Sequence, residues 1–144
     1  MKIRDILRSK GREVVTVGPD RTVADAIGLL VEHGIGALVV VEGIEIRGIV
    51  SERDILGLAA TDASRLSQLR IADQMTTDLV VGVEDDDIDY VMEIMTRNRV
   101  RHLPIVADRR LVGIVSIGDV VNALRRGLEA ENRYLRDYVQ GTIA

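Results

Sequence analysis

The sequence predicts an α/β fold: two β-α-β-β-α repeats packed about a pseudo-twofold axis, followed by an extended C-terminal helix. Three observations predict it. The stretch "GIVSERDI" at residues 48–55 returns as "GIVSIGDV" at 113–120. Residues 23–54 lie over 88–119 without a gap, so a whole supersecondary unit is repeated. Within each copy the apolar period switches from helical to strand-like.

Each copy opens on a short apolar stretch, residues 14–17 and 79–83, predicted as a strand. Turn and capping residues follow, "GPDRT" in the first copy and "EDDD" in the second. Val23, Ala26, Ile27, Leu30 and Val31 then recur at i, i+3, i+4, i+7 and i+8, one face of a helix. Ile88, Val91, Met92 and Met95 repeat the pattern. Asp85, Asp86 and Asp87 stand where that second helix begins and suit its positive N-terminal end; with no matching cluster elsewhere they are not read as a metal site. Gly34 is read as a helix C′ residue and His33 as a partner of the C-terminal dipole.

Two strands come next, "ALVVV" with "RGIV" and "LPIV" with "LVGIV", joined by turns at 42–46 and 107–110. Their continuous apolar runs suit strands covered on both faces. Pro104 is placed at a strand start, where its missing N–H is tolerated. A second helix begins at Ser51 and again at Ser116. The expected boundaries are repeat one at 1–60, a polar link at 61–70, repeat two at 71–126, and a C-terminal helix and tail at 127–144. In that tail Val121, Leu124, Leu128, Leu135 and Tyr138 follow a heptad pattern, with Glu131 interrupting it. The pattern predicts one long helix whose seam packs on the partner chain of a homodimer, the alternative being packing on its own chain.

Composition excludes several function classes. The chain has 144 residues, 47% of them hydrophobic, enough for a real core. No segment approaches the roughly 20 apolar residues of a membrane span, and the N-terminus lacks an apolar secretory core. No membrane partner is expected. There is no Cys, which rules out disulfides and thiolate chemistry and fits a cytoplasmic location. The net charge is −4 with no basic stripe, so nucleic acid is not the expected main partner. There is no Trp and no Phe, so a planar ligand would lie between aliphatic side chains. Gly34-x-Gly36 is no dinucleotide fingerprint, because it follows a helix and precedes a strand. No nucleophile–base pair, P-loop or metal constellation stands out, so the chain is not read as an enzyme.

The repeated Ser51-x-x-Asp54 and Ser116-x-x-Asp119 have two readings. One is a capping box at a strand-to-helix junction, worth about 1 kcal/mol. The other is a ligand site with the same geometry. The helix N-terminus offers free N–H groups to a phosphate, the Ser hydroxyl adds a donor, and the two Asp oxygens can accept from both hydroxyls of a ribose.

The order "TVADAIGLLVEHGIGALVVV", "GIVSERDI", then "DIDYVMEIMTRNRVRHLPIV" and "LVGIVSIGDV" resembles a tandem pair of CBS domains, a Bateman module, over about residues 1–125. It is most similar to stand-alone bacterial CBS-pair proteins of the signal-transduction type. The resemblance implies a regulatory module that binds adenosine-containing ligands (AMP, ADP, ATP, sometimes NAD(H) or S-adenosylmethionine) in two clefts. It also implies a homodimer and a regulated partner protein that the sequence does not name. It further implies a crosswise arrangement, in which the middle-strand entry of one repeat faces the Ser/Asp end of the other.

On that basis the first site takes Ser51, Arg53, Asp54, Val80, Val81, Val100, Arg101, His102 and Leu103. The second takes Thr16, Val17, Ile35, Gly36, Ala37, Leu38, Ser116, Ile117 and Asp119. The first is expected to favour phosphate-rich ligands. The second is expected to be poorer in positive charge and suited to the adenosine part. The alternative is a ligand-free adaptor or dimerisation module, in which the capping reading is the whole account of Ser and Asp.

Overall fold

The computed structural model describes residues 1–141; the last three residues of the expected tail lie outside the described residues. The elements run α1 (Ile3–Lys10), β1 (Thr16–Val17), α2 (Val23–His33), β2 (Ala37–Glu42), β3 (Glu45–Ser51) and α3 (Glu52–Asp62). A 3₁₀ turn at Ala63–Arg65 follows, then α4 (Ile71–Gln74), α5 (Ile88–Asn98), β4 (His102–Ala107), β5 (Arg110–Ser116) and α6 (Ile117–Val139). The two repeats face each other about a pseudo-twofold axis, with β3 against β5.

In the first repeat β1 lies parallel to β2, and β2 runs antiparallel to β3 from Ala37↔Ser51 to Glu42↔Glu45. In the second, β4 and β5 pair from His102↔Ser116 to Ala107↔Arg110. The expected strand at 79–83 does not form; one parallel bridge, Gly82↔Ile105, stands in its place. The Val83 N–H turns instead to the Asp86 carboxylate at 2.9 Å, which ends the ladder. The first opening strand shortens likewise to two residues. Both hairpin turns are tighter than expected. The second centres on Asp108 and Arg109, at φ 50 and 64, the left-handed pair of a type I′ turn. Pro104 is the third residue of β4, with its carbonyl toward Gly82 (2.9 Å); its missing N–H falls on that side, where little ladder exists.

Helix ends follow their sequence signals. Thr22 caps α2, its hydroxyl accepting from the Asp25 N–H at 3.2 Å. Gly34 closes the same helix in the left-handed region, at φ 60. The expected link at 61–70 is structured. The Leu69 and Leu66 carbonyls take the Val23 and Ala24 N–H groups at 2.8 and 2.9 Å, satisfying two donors that a helix start leaves open.

The helix preceding each repeat packs on the core of the other. Ile3, Ile6 and Leu7 of α1 are buried with Ile88, Val91, Met95 and Leu103 of the second repeat. Ile71 of α4 is buried with Val17, Val23 and Leu38 of the first. The docking contacts correspond. Ile3 and Arg4 donate to the Asp86 and Glu84 carbonyls, as Ile71 and Ala72 donate to those of Arg21 and Pro19. The acidic run at 85–87 therefore does more than suit the α5 dipole. Asp85 pairs with Arg4, Asp87 with Lys2 at 3.5 Å, and the adjacent Glu84 with Arg12.

This crossing explains the Gly of both "GIVS" stretches. A Cβ on Gly113 would lie 2.8 Å from Leu7 Cδ2. A Cβ on Gly48 would lie 2.7 Å from Met75 Sδ and 2.8 Å from the Thr76 carbonyl oxygen. Gly48→Ala is expected to cost about 1–3 kcal/mol in urea unfolding, and more than Gly113→Ala, because backbone yields less than a leucine tip. Gly113→Ala is expected to cost less in a Leu7→Ala background, and equal costs in both backgrounds would show that Leu7 is not the obstacle.

Candidate functional site

Ser51 ends β3 and caps α3 from an extended backbone. Its hydroxyl oxygen accepts from the Asp54 N–H at 3.2 Å. The Asp54 carboxylate accepts from the Ser51 N–H at 3.0 Å and from its hydroxyl at 2.9 Å. Ser116 and Asp119 repeat the box at 3.1 and 2.8 Å. The Gly36 carbonyl takes the Glu52 N–H and the Arg101 carbonyl takes the Ile117 N–H, so each helix start is tied to the middle strand of its own repeat. The second N–H of each helix, on Arg53 and Gly118, has no intrahelical acceptor.

A cleft of about 190 Å³ opens beside the first box, lined by Ile49, Ser51, Arg53, Asp54, Thr76, Arg99, Val100, Arg101 and His102. It thus joins the Ser/Asp end of repeat one to the α5–β4 corner of repeat two. Arg53, Arg99 and Arg101 are exposed, and among the described residues no carboxylate pairs with them. His102 is half-buried. Burial holds its pKa below the usual histidine value, helped by the Lys10 and Arg101 charges and opposed by Glu52 and Asp119. A Cβ on Gly36 would lie 3.2 Å from His102 Nε2, so the glycine leaves room for the ring.

Three residues expected here lie elsewhere. Leu103 faces the second core by strand alternation and is 1% exposed. Val80 packs against that same core, and Val81 is exposed beside it. The wall they were expected to form is made by Thr76, whose N–H and carbonyl pair with Ile49 at 3.0 Å in both directions. Nothing in the sequence marks Thr76, which lies in the segment between repeats. Ile49 was missed because it reads as a core strand residue. Arg99 carried a signal. The repeat aligns it with Gly34, and it takes the same left-handed position, at φ 55.

The second set is dispersed. Val17 and Leu38 belong to the first core, and Ala37 is buried. Thr16 borders a separate surface depression with Arg12 and Arg110. Ile35 and Gly36 border another with Glu52. Ile117 packs on the second core. Ser116 and Asp119 keep their box, but the Lys10 ammonium stands 2.7 Å from Asp119. Burial alone would raise the Asp119 pKa; the Lys10 hydrogen bond and the Ser116 N–H outweigh it and hold it low. That single lysine, arriving from α1, stands where the first cleft gathers three arginines and a histidine. Among the described residues no group of three His or acidic side chains is placed to hold a metal, and no helix is long and apolar enough to cross a membrane.

The CBS-domain family model matches the chain twice, at residues 3–60 and 67–126. The chain belongs to the CBS-domain family. The mitochondrial CBS domain-containing protein CBSX3 of Arabidopsis thaliana is 34% identical over 148 residues, covering 96% of this chain and 72% of that protein. The crystal structure of the CBS-domain containing protein ATU1752 from Agrobacterium tumefaciens superposes with a TM-score of 0.82 at 42% identity, covering 85% of this chain and 98% of that one. The CBS domain pair of protein MJ0100, solved with 5-methylthioadenosine and S-adenosyl-L-methionine, gives 0.79 at 26% identity, covering 88% and 98%. The chain carries a tandem CBS pair of the kind these structures show, with α6 running on past the second matched region.

Two outcomes follow from the geometry of the Arg-rich cleft. Arg99→Gly is expected to raise stability by about 1 kcal/mol, since glycine meets no penalty at a left-handed helix end; an unchanged or lower melting temperature would show that the arginine carries no strain. His102 binds its proton at lower pH in the folded chain than in the unfolded one, where its pKa is near 6.5. Stability should therefore fall as pH drops below about 6.5, and His102→Gln should flatten that part of a melting-temperature profile.

Proposed function

We propose that this CBS pair is a regulatory module that binds a phosphate-bearing adenosine ligand in the Ser51/Asp54 cleft and passes its occupancy to a partner protein. The observation that carries the reading is the set of three arginines, without a carboxylate partner among the described residues, gathered with His102 around a helix N-terminus. Like charges held together without counterions are a cost to the empty fold and a gain once a phosphate sits among them. Asp54 accepts from the ribose hydroxyls, and Ser51, freed to turn its hydroxyl outward, donates to phosphate. Val100 and Ile49 supply the aliphatic walls against the base. The adenosyl ligands of MJ0100 support the adenosine part of the reading. The arginines favour AMP, ADP, ATP or NAD(H) over the cationic S-adenosylmethionine.

Occupancy bridges two repeats, so a ligand that fits one inter-repeat angle better than another shifts their relative orientation. The module reads as a homodimer. Val121, Leu128, Leu135 and Tyr138 of α6 form an exposed apolar seam, each of them half exposed or more. A second chain laying the same seam alongside would cover it.

Denaturing the purified protein and identifying the released molecules by mass spectrometry tests the ligand class directly. Calorimetry then measures AMP, ATP, NADH and S-adenosylmethionine. Asp54→Ala is expected to weaken nucleotide binding about 10- to 100-fold while leaving the fold intact. Arg101→Ala is expected to weaken ATP more than adenosine; equal losses would make Arg101 structural. A protein that releases nothing and binds none of the four is a ligand-free adaptor.

A further inference from the structure

The pseudo-twofold axis is broken at one place that bears on ligand number. Ile49 and Ile114 hold the same position in the two "GIVS" stretches. In repeat one the Ile49 carbonyl accepts from the Thr76 backbone N–H. In repeat two the Ile114 carbonyl accepts instead from the Lys10 ammonium, at 3.0 Å. The same ammonium donates to Asp119 at 2.7 Å. Lys10 is the last residue of α1, and that helix is anchored by Leu7 against Gly113, so the lysine stem starts from a fixed point.

We infer that Lys10 is the resident occupant of the Asp119 cleft, closing it to the ribose of a nucleotide, so that each chain takes one adenine nucleotide and not two. The inference rests on the nucleotide reading of the Ser51/Asp54 cleft. Its chemistry is a competition for one carboxylate. A ribose offers Asp119 two neutral donors; Lys10 offers a cationic one from within the chain. The ammonium brings a full opposite charge to the carboxylate, which a neutral hydroxyl does not, and the intramolecular donor has no association entropy to lose. The ion pair is shielded, its side chains 34% and 26% exposed, so solvent weakens it less than a surface pair. Asp54 meets no such rival among the described residues, where the donors to it are the Ser51 N–H and hydroxyl. The cavity that Asp119 borders also runs the wrong way, between α1 and α6 past Ser9, Asn122 and Arg126, and not toward Gly36.

The test is AMP binding to the full chain by calorimetry, with Lys10→Ala and the double variant Lys10→Ala/Asp119→Ala beside the parent. Parent stoichiometry is expected to be one per chain, rising to two in Lys10→Ala and returning to one in the double variant. Two sites in the parent, or one site in Lys10→Ala, overturns the inference and leaves the nucleotide reading standing. No AMP, ATP or NADH bound by any of the three sinks the nucleotide reading. The lock is then judged by NMR titration of the Asp119 carboxyl, which needs no ligand: its pKa is expected to rise in Lys10→Ala, and an unmoved value overturns the lock.

Discussion

The structure depends on a steric exchange across the axis. Each sheet gives up a side chain at Gly48 or Gly113, and the helix that precedes the other repeat fills the space with Met75 or Leu7. Neither core is complete without residues from the far side of the sequence. The two repeats therefore form one packed body and not two beads on a link. The same crossing delivers Thr76 to Ile49 and Lys10 to Ile114, which makes the wall of one cleft and the occupant of the other.

The capping boxes show how stability and binding share one set of atoms. Ser51 and Asp54 satisfy each other and the α3 start in the absence of ligand, so the box holds its shape without help. The arginines have no such internal account. They are exposed, line one cleft and have no carboxylate partner among the described residues, and Arg99 occupies a backbone region that favours glycine. The proposed phosphate ligand would give these arginines the counter-charge that the described residues do not.

Divergence between the repeats is concentrated where it changes charge and leaves the frame alone. Gly34, Gly36 and Ala37 of repeat one correspond to Arg99, Arg101 and His102 of repeat two. The strand pairs around them keep register, Ala37↔Ser51 against His102↔Ser116, down to a bulge at the same place in each hairpin. One scaffold thus presents an arginine-rich cleft on one side and a lysine-filled one on the other.

What the sequence by itself determined is the part set by local periodicity and by repetition. The helical stripe from Val23 to Val31, the hairpin strands, the Ser/Asp caps and the αL glycine at 34 each depend on residues within a few positions of one another. The ungapped repeat added the α/β class and the pseudo-twofold pairing of Ser51 with Asp54 and Ser116 with Asp119. Ser51, Arg53, Asp54, Val100, Arg101 and His102, which line the first cleft, were named together only through the crosswise arrangement that the family resemblance implies, while Arg99 could have been marked by its alignment with Gly34. Only the tertiary structure decided the rest. Thr76 and Lys10 lie outside the aligned repeat and carry no motif, so their roles come from the helix crossing. Val80, Val81 and Leu103 looked like cleft residues because apolar strand residues look alike on both faces. Which face meets the core is settled by strand register and by the Val83–Asp86 turn. The second cleft differs most from expectation for the same reason: an ammonium from the far end of the chain reaches Asp119 only after folding has brought α1 across the axis.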